Sequence, residues 1–182
     1  MYWTLHKPVT SIDDIKQQSG IANPYGFVYE ITATKNNKTY LYIGKKRLYS
    51  KKTLPALKSG ELRPNSERIY KNVITIDGKI AVSKKDKALA RKQGIKAERT
   101  PFDVTYTESN WRSYTGSSKD LAGYTIISKR ILSVAHNLIS LTYLEENYLH
   151  KTDALTKPTY INKNIAGKYF IDNILKGIQQ YV

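Results

Sequence analysis

The chain contains no cysteine. That absence removes disulfides, thiolate zinc sites and cysteine nucleophiles together. Its three histidines, His6, His136 and His150, are scattered, with no close pair to share a metal. No apolar run approaches the ~18 residues of a membrane span, and the opening MYWTLHKPVTSIDD lacks the apolar block of a secretory signal. Acidic side chains are also scarce: 15 Asp and Glu stand against 30 Lys and Arg, a net charge of +15. Such an imbalance calls for a polyanionic partner. With no span and no signal, the expectation is a cytoplasmic protein that acts on nucleic acid and not on a membrane.

What is present supports a folded chain. The 182 residues suffice for one core and a small appendage, and 40% apolar with 25% charged content is globular. Residues 51 to 100 hold fourteen Lys and Arg but five Asp and Glu, so nine of the fifteen net charges lie there. Such a block is either a solvated face or an arm that neutralises phosphates. Fifteen tyrosines and two tryptophans supply rigid aromatic surface, useful in a core or against bases.

Residues 1 to 24 read as a lead-in, with a helix over Ser11 to Gln18 capped by Ser11 and Asp14. Phe27 to Thr34 and Lys38 to Lys45 alternate as two strands. A small hairpin is expected around Asp77-Gly78, then a basic helix from Ser83 to Gln93 stopped at Gly94. Trp111 and Tyr114 suggest a short helix, with another turn starting at Ser117 or Ser118. Their rings belong more naturally to a core than to base stacking. Arg130 to Val134 reads as a third strand, Asn137 to Lys151 as the clearest helix, YINKNIAGKYF as a loop, and Asp172 to Val182 as a last helix. The order β-β, insertion, α, β, α predicts a mixed α/β layer with an antiparallel start.

Two places could carry chemistry. On the helix 137 to 151, Leu138, Leu141, Leu144, Tyr148 and Leu149 share one face, and Glu145 falls inside it while Glu146 lies at its edge. A carboxylate there needs a partner. That partner is either a lysine or arginine, or a hard divalent cation at a phosphate site. In the hairpin GFVYEITATKNNKTYLYIGKK, a two-residue turn at Asn36-Asn37 makes opposed residue numbers add to 73. Tyr29 then faces Gly44, Ile31 faces Tyr42, and the two phenols become diagonal neighbours ~7 Å apart. A three-residue turn would put them on opposite faces. Beside Lys45, Lys46 and Arg47 they could form a phosphate site in which cations favour the phenolate. Gly116-Ser117-Ser118-Lys119 lacks the GxxxxGK[ST] frame of a phosphate loop.

Gly26-Phe27-Val28-Tyr29, followed by Tyr42-Ile43-Gly44, resembles the two-part signature of GIY-YIG nucleases. GFVY stands where the family has Gly-Ile-Tyr, and YIG is intact. Glu145 on a late helix, the asparagines of YINKNIAGKYF and the stretch NWRSYTGSSKDL extend the likeness over roughly residues 25 to 170. The subgroup it resembles is known from phage-borne endonucleases acting in the host cell, and is similar to small restriction enzymes.

The resemblance implies an α+β domain over 25 to 182, with a small antiparallel sheet of about three strands flanked by helices and a basic insertion at about 51 to 105. It implies hydrolysis of DNA phosphodiesters with one Mg²⁺ or Mn²⁺ per site. Tyr29 would orient or deprotonate the attacking water, Tyr42 would hydrogen-bond the water or the phosphate, and Glu145 would hold the metal. The family's first-helix arginine falls at Lys51-Lys52 here, so the cationic role passes to Lys45 or Arg47, with Arg63, Arg68 and Arg91 as displaced candidates. Asn162 and Asn164 compete for the asparagine role. Lys46, Lys51, Lys52, Lys84, Lys85, Arg91, Lys92, Arg112 and Lys119 are expected to grip DNA. Other readings of the same residues are a non-cleaving nucleic-acid-binding module on this scaffold and, from charge alone, an RNA-binding structural protein. Either a monomer or a homodimer is compatible with the sequence.

Overall fold

Asn36 and Asn37 both take left-handed backbone, φ 51° and 57°, in the computed structural model of the chain. Positive φ at both central residues defines the tight hairpin turn whose twist matches its strands. Lys35 therefore pairs with Lys38, and the register runs unbroken to Gly26 opposite Arg47, with Tyr29 opposite Gly44 and Ile31 opposite Tyr42. Of the two turn lengths open to the sequence, the two-residue turn is the one observed.

The structure describes residues 1–76, 78–81, 83–116, 119–166 and 169–170. The last helix expected over Asp172 to Val182, and a turn start at Ser117 or Ser118, lie outside the described residues. In chain order the elements are β1 (Trp3–Thr4), β2 (Pro8–Val9), α1 (Ile12–Ser19), β3 (Gly26–Lys35), β4 (Lys38–Arg47) and β5 (Tyr49–Pro55). Then come β6 (Ser66–Val73), β7 (Thr75–Ile76), β8 (Lys79–Ile80), α2 (Lys84–Lys92) and β9 (Glu98–Glu108). A 3₁₀ turn (Lys119–Leu121), β10 (Thr125–Ala135), α3 (Leu138–Lys151), β11 (Asn164–Ile165) and β12 (Tyr169–Phe170) complete them. The chain divides into two compact units, Met1–Tyr49 with Glu108–Val182, and Ser50–Thr107.

The first unit is an α+β layer on a five-stranded sheet of order β2-β1-β10-β3-β4. Its centre, β10-β3-β4, is the expected antiparallel three-stranded sheet. Residues 3 to 9 add two short strands, β1 lying parallel to β10. The Ser11 and Asp14 capping box starts α1, and Gly20 in the left-handed region ends it.

Alternation along β3 sends Phe27, Tyr29, Ile31 and Ala33 into one core with Trp3, Trp111 and Ile131. Val28 goes to the other core, with Ile43, Leu141 and Leu149, where α3 packs. Leu138, expected on the buried face of α3, is 50% exposed because it stands in the first turn, ahead of the contact with the sheet. Trp111 is fully buried, yet residues 111 to 113 form turns and not a helix. The Trp111 indole donates to Glu108, and the Trp3 indole donates to the Trp111 carbonyl. The long-range Trp3 bond and the local Glu108 bond hold the segment without an i to i+4 ladder.

Residues 159 to 162 are not simply a loop. They line the free edge of β4: Leu41 N–H donates to Thr159 and Ile161 N–H donates to Leu41. At the next rung the Asn162 side chain replaces backbone, its Oδ1 accepting from Ile43 N–H at 3.0 Å and its Nδ2 donating to Ile43 C=O at 2.8 Å. Asn162→Ala leaves both Ile43 groups unpaired in a buried setting. The expected cost is about 2–4 kcal/mol, read as a fall in melting temperature, and Asn162→Asp, which cannot donate, recovers little of it.

The second unit carries its own sheet, β5-β9-β6. Beside that sheet the unit holds the hairpin β7-β8 and helix α2, which meet through Ile74, Ala81 and Ala90. Asp103 is buried there, with its carboxyl held below the usual range chiefly by the Arg68 hydrogen bond. Arg68 spends its remaining donors on the Gly60 and Glu61 carbonyls, and Arg63 lies 3.6 Å from the same carboxylate.

Candidate active site

The hairpin register brings Tyr29 and Tyr42 to one face, ring centroids 6.2 Å apart. Between them Gly44 leaves a gap that their rings fill. A Cβ built on Gly44 would lie 2.5 Å from the Tyr29 hydroxyl, 2.7 Å from its Cζ and 3.1 Å from Tyr42 Cε1. The Gly of the YIG triplet is therefore a packing requirement of Tyr29, not a turn residue.

Tyr29 is 1% exposed, set edge-on against Trp3, Phe27 and Tyr114. Its hydroxyl donates to the Tyr114 hydroxyl at 3.4 Å. Burial, and then the neighbouring Tyr114 and Tyr42 phenols, push its pKa far above the ordinary phenol value, with the Glu145 charge adding a little. This departs from the expectation that adjacent cations favour the phenolate, because Lys45 and Lys46 are committed elsewhere and burial prevails. The sign gives a test. Above about pH 10 an unfolded Tyr29 loses its proton and the folded one keeps it. This part of the stability is thus complete below pH 10 and is lost as pH rises. Tyr29→Phe should flatten the alkaline fall in melting temperature.

Glu145 projects from α3 toward β4. Its Oε2 accepts from Lys45 Nζ at 2.8 Å, and the same ammonium reaches Thr142 Oγ1 at 3.1 Å. A lysine, one of the two partners expected for this carboxylate, thus stands beside it. Lys45 alternates to the α3 side of the sheet, opposite its neighbours Gly44 and Lys46. Tyr42 and Glu145 nonetheless share one cleft of about 200 Å³ around the edge of β4, lined also by Ile43, Asn162, Lys163 and Asn164.

The donor set suits a hard cation held by one carboxylate. Mg²⁺ is commonly taken by one or two carboxylates, water and substrate phosphate. Glu145 stands at a polar cleft, and the Lys45 ammonium already marks the place of a positive charge. Among the described residues no cluster of three or more His, Asp or Glu exists to form a protein-only cage.

The other expected residues fall as follows. Asn162 is occupied by Ile43 and shapes the cleft, whereas Asn164 is exposed on the rim in β11. Lys46 donates to Asn110 at 2.7 Å and lies 4.0 Å above the Tyr114 ring, its pKa lowered by burial and then by Arg47. Arg47 is exposed beyond it.

No helix follows the YIG triplet; Lys51 and Lys52 lie on strand β5, so the helix position that would carry an arginine does not exist there. Arg63 and Arg68 are spent on Asp103. Lys84, Lys85, Arg91 and Lys92 are on α2. Arg112 is tied to Glu108 and the Thr10 carbonyl, and Lys119 is exposed in the 3₁₀ turn.

Two contacts were not anticipated. Thr142 could have been found, since it precedes Glu145 by three on one helix. Tyr114 at the Tyr29 hydroxyl had no local signal, being 85 residues away. No helix among the described residues is long and apolar enough to cross a membrane.

A family model described as "Putative endonuclease segE, GIY-YIG domain" matches residues 3–165. No match was found among curated proteins or among solved structures. The match spans both halves of the hairpin, Tyr114, α3 with Glu145 and the Asn162 rung, and so includes Tyr42, Ile43, Glu145 and Asn162 of the cleft lining. By that match the chain is an endonuclease, a member of the segE-type GIY-YIG family.

Proposed function

We propose that the protein hydrolyses DNA phosphodiester bonds at the cleft on the edge of β4, using one divalent cation, Mg²⁺ or Mn²⁺, held by Glu145. The observation that carries this reading is that Tyr42 and Glu145, brought from a strand and a helix a hundred residues apart, line the same cleft. Held by Glu145, such a cation would offset the negative charge that grows on the phosphate during the reaction.

The chain's own residues position the rest. Tyr29, kept neutral by burial, orients the attacking water by hydrogen bonding rather than deprotonating it. Tyr42 hydrogen-bonds that water or the phosphate. Lys45 is the cation beside Glu145, and Asn162 holds the cleft wall to β4. Water adds to phosphorus and gives up a proton to solvent, the P–O3′ bond breaks, and the leaving oxygen takes a proton from solvent, so that one water is consumed per bond cut. The basic insertion contributes grip on the DNA backbone.

The test is cleavage of duplex, nicked and branched DNA by the purified chain with Mg²⁺ or Mn²⁺. Cutting that stops on chelation is expected; no cutting of any substrate would sink the proposal. A non-cleaving binding module on the same scaffold is the second reading. The position of Lys51 and Lys52 on strand β5, where the resemblance calls for a helix arginine, favours it.

A further inference from the structure

The second unit contains a cleft of about 410 Å³, within the range of small-ligand sites. Its lining is of two kinds. Val73, Ile74, Ile80, Ala81 and Ala97 give apolar surface, while Lys87, Arg91 and Asn72 supply polar groups. The two cations sit one turn apart on α2, and helical geometry explains their place. Ala90 is the buried residue of α2. At 100° per residue Lys87 and Arg91 lie about 60° and 100° to one side of it, and Lys84 follows at about 120°. Lys85 and Lys92 lie about 140° to 160° away, on the far side.

Among the described residues neither Lys87 nor Arg91 forms an ion pair. Asp86, the acidic residue of the first turn, lies on the opposite flank of Ala90. Two like charges kept side by side at the mouth of an apolar-floored cleft repel each other until an anion enters. Asn72 is paired across the sheet with Arg99, whose guanidinium lies 4.8 Å from the half-exposed Tyr70 ring. Positive charge therefore continues from the cleft along the neighbouring strand pair.

We infer that this cleft is a deoxyribose-phosphate site, in which Lys87 and Arg91 hold a backbone phosphate of DNA and the Val73, Ile74 and Ile80 wall accepts the sugar. It rests on the reading that the chain acts on DNA, but it needs neither the metal nor the Tyr29 and Glu145 site. The inference separates the basic residues of α2 into a cleft side that binds in register and a far side that contributes diffuse charge.

The experiment is titration of a labelled 30-base-pair DNA duplex with the full chain in EDTA, followed by anisotropy from low to moderate salt. The K87A/R91A variant should bind on the order of tenfold more weakly near 0.1 M salt, with a salt slope smaller by about 2. Alanine favours the helix, so the variant keeps α2. K85A/K92A removes the same charge from the same helix and should lose less than half as much. Equal losses for the two variants would overturn the site in favour of net charge alone. A loss confined to an RNA duplex of the same sequence would overturn the DNA assignment. Because no cleavage is read, a chain that binds as expected but never cuts would fault the proposed activity and leave this site standing.

Discussion

Glu145→Gln is expected to lower metal-dependent DNA cleavage by on the order of 10³-fold, the several kcal/mol that metal-borne charge stabilisation supplies at a phosphoryl centre. Glutamine keeps the shape of the side chain and one oxygen, so the cleft between β4 and α3 is preserved. What it removes is the anionic charge that faces Lys45 at 2.8 Å and is proposed to face the metal. Both partners are partly exposed, 33% and 18%, so loss of the ion pair should cost less than ~2 kcal/mol after screening. In a chain of this size that is a shift of a few degrees in melting temperature. Binding of DNA in EDTA should be unchanged or slightly tighter, because a negative charge has left the surface. A Glu145→Gln protein that cuts at the wild-type rate would remove Glu145 from the reaction.

Gly44→Ala adds one methyl group and should lower cleavage by about 10²-fold, the effect of displacing an aligned group by about 1 Å. The added carbon would meet the Tyr29 hydroxyl at 2.5 Å, and the Tyr29 ring cannot yield easily because Trp3, Phe27 and Tyr114 enclose it. Overpacking of this kind costs about 1–3 kcal/mol. The chain should therefore fold with a lower melting temperature and reduced activity. Tyr29→Phe in the Gly44→Ala background removes the atom in closest contact. It should restore part of the stability without restoring cleavage. Wild-type activity in Gly44→Ala would mean that the Tyr29 hydroxyl has no role at the reacting phosphate.

Much of the frame was legible from residue type and spacing. The Asn36-Asn37 turn is local, since both residues tolerate positive φ, and it determined which face Tyr29 and Tyr42 share. Ser11 with Asp14 and Ser83 each marked a helix start, and the structure has both caps. The carboxylate of Glu145 within an apolar stripe correctly demanded a partner. Less was legible where two outcomes had equal local energy. Trp111 and Tyr114 had helical spacing, but the Trp3 and Glu108 bonds to Trp111 were stronger than that weak preference. The strands β6 and β9 went unread because charged residues interrupt their alternation and their pairing depends on the buried Asp103 with Arg63 and Arg68.

By itself, then, the sequence determined the caps and the long helix and narrowed the hairpin to two registers, all settled by interactions within a few residues. The structure chose between the registers. Only the tertiary structure decided that Asn162 closes the edge of β4 at Ile43, that Tyr114 meets Tyr29, and that Lys45 is the partner of Glu145. Those pairings join positions 119, 85 and 100 residues apart. Long-range contacts of that kind are chosen by which surfaces bury together, a competition among all segments of the chain that no local pattern records.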